Sequence, residues 1–315
     1  TNKLRASYLF NTTIVGIDEA DAILIVGSNP RMEAAVMNAR IRRNFLNNRT
    51  PIALIGPEAD LTYPVTHLGT DISVLKQLVS GKHKFAKILK KAKRPMIILG
   101  MGALRRADGQ SILGIAREIA DKTDMVTDSW NGFNVLHTAA ARVAGLDMGF
   151  VPGKGGKDVA GILKAAAKGE MKLVWLLGAD EIDTSAFANS FVIYQGHHGD
   201  AGAAAADVIL PGAAYTEKDG LYVNFEGRVQ MARRATFPPG EAKEDWAIIR
   251  AVSEHLNKTL PFDSAAALRE DLIKAVPSFA VVDAVLPSKW AKFGRIGKLS
   301  DEPVSSSLNQ FHMTC

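Results

Sequence analysis

Cysteine is all but missing from this sequence of 315 residues: the single thiol is Cys315, the last residue. One thiol excludes a disulfide within the chain and suits a reducing compartment. It also excludes an iron–sulfur cluster held by this chain alone, because such clusters need a set of cysteine ligands, partly replaceable by histidine. Long apolar runs are missing as well. None approaches the roughly 18–20 residues of a spanning helix. Charge of one sign is not concentrated either: the net charge is +5, and the basic residues are spread along the chain, so nucleic acid is not the default partner. There is no short-period repeat of the kind that builds a solenoid. Thr1–Phe10 has neither the apolar core of a secretory signal nor the pattern of a transit peptide. A chain beginning with Thr rather than Met reads as a processed product or a fragment.

What is present is an ordinary globular composition, 47% hydrophobic and 23% charged, long enough for two domains. Ala22–Val26 reads as a buried strand ended by Gly27-Ser28-Asn29-Pro30, followed by a helix over 31–45 and a strand over 52–55 closed by Gly56-Pro57. Strand, helix and strand at that spacing make a βαβ unit, which implies a parallel sheet. Residues 82–93 read as an amphipathic helix with Phe85, Ile88, Leu89 and Ala92 on one stripe and lysines opposite. A second α/β series follows. It has a strand over 96–99, helices over 109–122, 131–146 and 158–168, and strands over 173–177 and 191–194. A helix over 241–256 should turn Trp246, Ile249 and Val252/Ser253 inward, and a shorter helix covers 265–276. From Leu286 to Cys315 the chain is rich in Pro, Gly, Ser and Lys without a period, and reads as an extended arm. Ile25-Val26-Gly27-Ser28-Asn29 and Leu176-Leu177-Gly178-Ala179-Asp180 are similar phrases, each with a glycine at the end of a buried strand. They suggest two related lobes.

Several constellations invite chemistry. Gly100-Met101-Gly102 follows a strand, but the position where a dinucleotide fingerprint needs its third glycine is Arg105, so a tight turn is the reading. His197 and His198 stand beside Asp200, yet neighbours on an extended strand point to opposite faces, and His137 and His255 show no ligand spacing. Glu217, Asp219 and Glu226 lie near one ribbon with no nucleophile or base beside them. The ribbon itself, 221–226, alternates Leu221, Val223 and Phe225 with Tyr222, Asn224 and Glu226.

The stretch from Phe191 to Gln230 is the most specific. Ala206-Asp207-Val208-Ile209-Leu210-Pro211, Glu217, Gly220, Asn224 and Glu226-Gly227-Arg228-Val229-Gln230 resemble the signature of molybdopterin oxidoreductases. With His197-His198-Gly199-Asp200 in front, the stretch is similar to the large iron–sulfur subunit of respiratory complex I, NADH:ubiquinone oxidoreductase. The likeness runs from about Tyr8 to Lys258 and takes in Ala20–Gly27, Glu33-Ala34-Ala35, Asn38–Arg42, His67-Leu68-Gly69 and Asp245-Trp246. It resumes at Phe311-His312-Met313-Thr314. It covers only the C-terminal half of that family.

The resemblance implies an α/β fold of two Rossmann-like, doubly wound lobes like the central domains of molybdopterin oxidoreductases, free of cofactor. The lobes would fall at 1–81 and 82–260, with a short helix and arm at 261–315. Gly27-Ser28-Asn29-Pro30 resembles the loop that grips part of the guanine dinucleotide cofactor in those enzymes. Their second Asn-Pro is replaced here by Gly178-Ala179-Asp180-Glu181, where acids would repel a pyrophosphate, and their Asp-Pro-Arg by Gly56-Pro57-Glu58; Leu68-Gly69-Thr70-Asp71 survives. The expectation is therefore no catalytic, cofactor-binding or metal residue and no cofactor in this chain. Iron–sulfur clusters would belong to the missing N-terminal half or to neighbouring subunits. The implied role is scaffolding in the peripheral arm, beside the NADH-to-quinone relay. Partners would be other peripheral-arm subunits, including the cluster-bearing half of the same subunit, with no nucleic acid and no membrane span. The place would be the matrix side of the mitochondrial inner membrane or the cytoplasmic face of a bacterial one. The alternatives are a fragment of a true molybdopterin oxidoreductase holding a pterin, and a small nucleotide-binding α/β protein acting alone. The arm should lie on a neighbouring subunit, so that its deletion weakens assembly without unfolding the lobes.

Overall fold

The computed structural model describes residues 4–140 and 142–308, which separate into two compact units. The first holds the described residues up to Ala144, Val223–Arg228 and the stretch from Asp283 onward. Its strands are β1 (Ala22–Val26), β2 (Ile52–Ile55), β3 (Thr66–His67), β4 (Pro95–Gly100) and β5 (Phe133–Leu136), in the order β3-β2-β1-β4-β5. All four pairings are parallel. The strands of a parallel sheet are buried on both faces, so they read as continuous apolar runs rather than alternating ones. Every residue of β1, β2, β4 and β5 is buried accordingly.

Helices line both faces. In chain order they are α1 (Thr13–Gly16), α2 (Pro30–Glu33), α3 (Ala35–Asn48), α4 (Val74–Val79), α5 (Lys84–Lys91), α6 (Met101–Leu104) and α7 (Gly109–Lys122). Leu75, Leu78, Phe85, Leu89, Ile112 and Ile119 from α4, α5 and α7 pack with Leu24, Val26, Ile97 and Leu99 on one face. Met37 and Ile41 of α3 pack with Ile23, Ile25 and Ile98 on the other. The helix read over 31–45 is two pieces, broken at Ala34, whose backbone leaves the helical region.

Three expectations change here. Residues 131–146 are not one helix: Phe133–Leu136 is β5, paired with β4, and only α8 (Arg142–Asp147) is helical. The cause is tertiary. Asn134 is fully buried; its Oδ1 accepts the Thr12 N–H at 2.9 Å, and its Nδ2 donates to the Thr12 hydroxyl at 2.8 Å. The first lobe does not end near residue 81. β4 pairs with β1 residue for residue from Ala22↔Pro95 to Val26↔Leu99, so the contact boundary falls at Ala144.

The third change concerns the arm from 286, which belongs to this unit's core over its described part. Phe293, Leu299 and Val304 are buried with the α7 face. Phe293 sits 5.2 Å from Phe133 and 5.0 Å from Trp290, ring centre to ring centre. The Arg295 N–H donates to the Gln110 carbonyl at 3.1 Å. The resemblance at Phe311–Thr314 lies outside the described residues.

The second unit carries β6 (Leu173–Leu177), β7 (Phe191–Gly196) and β8 (Val208–Pro211), again parallel and in that order. It also contains α9 (Val159–Ala167), capped by the Asp158 carboxylate, α10 (Ala201–Ala204), α11 (Asp245–His255) and α12 (Ala265–Ala275). In α11 the buried residues are Ile248 and Ser253. β9 (Gly220–Val223) and β10 (Val229–Ala232) form a separate two-stranded ribbon. The ribbon read over 221–226 is thus shorter, and Asn224–Arg228 is its turn.

The three-stranded sheet is packed on one face and only partly covered on the other, where Gln195 is buried and donates to Asp245 at 3.0 Å and Trp175 and Ile193 are half-buried. Val174, Leu176, Val192 and Tyr194 point into a core with Ala166 and Phe187. On the opposite face Leu173, Leu177 and Phe191 remain 50%, 51% and 48% exposed, and Val208 39%.

Candidate functional site

In doubly wound sheets ligands bind in the crevice beyond the carboxyl ends of the strands, where the strand order reverses. In the first unit that point lies between β1 and β4. Gly27 follows β1 at φ +64°, in the left-handed region that favours glycine. A Cβ on Gly100 would come 2.3 Å from the Gly27 carbonyl oxygen, and one on Gly27 would come 2.4 Å from the Ala103 nitrogen. The Gly102 N–H donates to the Gly27 carbonyl at 3.0 Å. The glycines of Gly100-Met101-Gly102 therefore serve the close approach of two strand-end turns.

The donors that a phosphate would use are engaged. The Ser28 hydroxyl donates to Glu33 Oε2 at 2.7 Å, and the Asn29 N–H donates to Glu33 Oε1 at 3.1 Å. The Ser307 hydroxyl reaches the same carboxylate at 2.6 Å. Ser305 lies against Gly102, where an added Cβ would meet its carbonyl oxygen at 2.3 Å. What is left between Ser28, Pro57, Glu58 and Ser305 is a cavity of about 30 Å³, room for water and far below the roughly 300 Å³ at which ligand pockets begin.

The second unit repeats the device. Gly178 follows β6 at φ +58°, the counterpart of Gly27. Asp180 accepts the Tyr194 O–H at 2.8 Å through Oδ2 and the Gly202 N–H, at the start of α10, at 2.7 Å through Oδ1. Burial, followed by the bond to Asp180, pushes the Tyr194 phenol up to about 12, so it stays a donor at neutral pH. In both units a carboxylate lies near the strand-end glycine: Glu33 bonded to the turn's own Ser28 and Asn29, and Asp180, within the turn, bonded to Tyr194 and Gly202. A pyrophosphate would have to displace Glu33 and the segment around Ser305 in one case, and would face Asp180 in the other. These residues do not fit a dinucleotide cofactor.

Of the other sequence candidates, His197, His198 and Glu217 line one cavity, and Asp219 and Glu226 lie outside its lining. His197 and His198 stack edge to face at 4.4 Å, and His197 is held below its ordinary pKa by burial and by the charges of His198 and Lys218. They border an open cavity of about 540 Å³ together with Tyr194 and Ile209. Among the described residues no three His, Cys, Asp or Glu side chains gather as a metal site. Glu217 accepts the Ala214 N–H at 2.9 Å, and Asp219 the Arg234 N–H at 2.8 Å.

Glu226, 4% exposed, accepts the Ile14 N–H at 2.9 Å and the Arg228 Nε–H at 3.0 Å. Asn224 Oδ1 receives the Glu226 and Arg228 N–H groups, and Arg228 donates to the Asp283 carbonyl at 2.5 Å. The signature Asn224-x-Glu226-Gly227-Arg228 thus closes a turn and fastens it to α1. The sequence reading missed Glu33 as the occupant of the loop. An acid four residues after Asn29, close to capping-box spacing, was the available signal.

His137 is a second unannounced feature. Its Nε2 lies 2.7 Å from the Tyr8 carbonyl oxygen, and its Nδ1 is buried without a partner. Burial lowers its pKa, the Tyr8 carbonyl opposes the shift, and Arg142 adds to it. The folded protein therefore binds fewer protons here than the unfolded chain. Stability is fully present above the unfolded value of about 6.5 and is lost as pH falls through the folded one. Thermal unfolding between about pH 7.5 and 5 should show that loss, and His137→Gln should flatten it. Parallel curves for both proteins would remove His137 from the account.

Comparison with known proteins adds the following. A family model described as molybdopterin oxidoreductase matches residues 1–255. A Rickettsia bellii protein named as a subunit of NADH-quinone oxidoreductase is 42% identical over 310 residues, spanning 98% of this chain and 44% of the relative. The mitochondrial NADH-ubiquinone oxidoreductase 78 kDa subunit of Neurospora crassa is 42% identical over 323 residues, spanning 99% and 42%. The chain thus covers less than half the length of these curated relatives. Among solved structures, acetylene hydratase from Pelobacter acetylenicus superposes with a TM-score of 0.57 over 90% of this chain and 53% of its own, at 12% identity, a likeness of fold alone.

Proposed function

This chain belongs to the molybdopterin oxidoreductase family, and from that premise we propose that it is a cofactor-free, non-catalytic part of the NADH-oxidising arm of respiratory complex I. The observation that carries the proposal is the pair of self-occupied loops. Glu33 takes the Ser28 and Asn29 donors beside Gly27, and Asp180, two residues after Gly178, takes those of Tyr194 and Gly202. What remains is a frame. Its contribution to NADH-to-quinone electron transfer is to hold other parts in place, and it lends no group to the transfer itself.

The relatives named as subunits of NADH-quinone and NADH-ubiquinone oxidoreductases support that setting. So does the second unit's sheet, because parallel sheets are normally covered on both faces and this one leaves Leu173, Leu177 and Phe191 half-exposed. The proposed cover is the cluster-bearing portion of the same subunit or an adjacent peripheral-arm subunit. No helix among the described residues is long and apolar enough to cross a membrane. The proposed place is the matrix face of the mitochondrial inner membrane, or the cytoplasmic face of the bacterial one.

The rival, a fragment of a pterin-holding oxidoreductase, needs an anion where Glu33 already sits. Molybdenum and released pterin, quantified on the purified chain, separate the two. The proposal expects neither above background; one of each per chain would establish the rival.

A further inference from the structure

The last described segment of the first unit has two parts with different attachments. Trp290–Leu299 is an anchor, with Phe293 and Leu299 in the core and Gly294 pressed against α7, where an added Cβ would lie 2.5 Å from the Gly114 nitrogen. Residues 300–307 are another matter. Their one buried side chain is Val304, and Asp301, Glu302, Pro303, Ser305 and Ser306 are exposed. Yet this stretch crosses the carboxyl ends of four strands. The Val304 N–H donates to the Thr70 carbonyl beyond β3 at 2.9 Å, and a Cβ on Gly56 beyond β2 would meet Val304 at 3.7 Å. Ser305 covers Gly102 beyond β4, and Ser307 bonds to Glu33 beyond β1.

Beyond Val304 and the Ser307 bond to Glu33, its hold on the unit comes from one charge pair. Arg106 and Asp108 are joined by two hydrogen bonds, at 2.8 and 3.1 Å, with side chains only 8% and 7% exposed. Asp108 accepts the Ser300 N–H at 2.7 Å. Arg106 donates to the carbonyls of Glu302 at 2.6 Å, Pro303 at 3.1 Å and Ser300 at 3.2 Å. Guanidinium and carboxylate together hold the backbone at Ser300, Glu302 and Pro303, which no apolar contact on that stretch does.

We propose that residues 300–307 are a hinged internal plug. It closes the ligand crevice of the first unit, is clasped by Arg106 and Asp108, and opens as a unit about Leu299 while the anchor stays seated. Segments held by few buried apolar contacts open locally, well below the cost of global unfolding. This one has a single buried side chain and a polar clasp. Opening would uncover Gly27, Ser28 and Gly102, the backbone now lying under Ser305 and Ser307. The proposal concerns the unit's own closure, and it stands whether or not the chain works within a larger assembly.

Amide hydrogen exchange on the full chain, read by mass spectrometry, tests it. In the wild-type protein the 300–307 amides should exchange much faster than those of β1 and β4. Arg106→Ala should speed exchange of the Val304 amide by about tenfold or more, the effect of losing charge-assisted bonds. The Arg295 amide and the β1 and β4 amides should be unchanged. Since Arg106→Ala leaves Asp108 buried without its partner, Val304→Ala provides a second route that loosens the plug from its own side. Faster exchange confined to 300–307 in either variant supports the plug. Unchanged exchange of that segment in both variants, or exchange rising in step with β1 and β4 in both, overturns it.

Discussion

Phe293→Ala destabilises the first unit by about 3–5 kcal/mol, the range for removing a large aromatic from a packed core. Three observations set that size. Phe293 is 5% exposed. Its ring meets Phe133 of β5 and Trp290 edge-on, at 5.2 and 5.0 Å between centres. Its neighbour Gly294, at φ +73°, is wedged against the backbone of α7, so the chain cannot settle into the space left behind. Such pairs add roughly 0.5–1.5 kcal/mol beyond the area they bury. Calorimetry of the intact chain should show the transition of the first unit lowered by roughly 10 °C. An unchanged transition would mean that the segment from 286 is an attached arm after all.

The second large effect concerns association. Phe191 lies at the exposed end of the partly covered sheet face, opposite Leu173 in the parallel register. Phe191→Asp should leave the folded chain intact, because the side chain is 48% exposed in the chain by itself. Against a partner the same change places an unpaired carboxylate in a desolvated apolar contact, which costs several kcal/mol. Loss of affinity by roughly a hundredfold or more is expected. Native mass spectrometry of the assembly purified from cells making the variant should find the chain free, with unchanged circular dichroism. Undiminished incorporation would mean that the face is not an interface.

The parallel core was legible because each central strand is buried on both faces and so reads as an unbroken apolar run: Ala22–Val26, Ile52–Ile55, Met96–Leu99. The signature after Phe191 identified the family, but the tasks of its residues were hidden. Glu226 and Arg228 stand in the sequence as members of that signature, and in space they fasten a turn. β5 was missed because its state depends on Asn134 meeting Thr12, 122 positions away. The division between units was missed for a similar reason, since nothing local records that β4 pairs with β1. The packed segment from 286 carries its buried residues singly, at Phe293, Leu299 and Val304, so no period marks it. Glu33 was visible as an acid beyond Asn29, but the loop's resemblance to a phosphate grip drew attention to the donors rather than to their occupant.

The proposed reading is a frame whose strand-end turns are bonded by Glu33 and Asp180 and which works among partners. Native mass spectrometry of the wild-type assembly, followed by release of this chain, tests that most directly. The account predicts that the chain is recovered with other subunits and that its released mass equals the polypeptide alone. A chain recovered by itself, or one carrying the added mass of a molybdenum pterin, would contradict it.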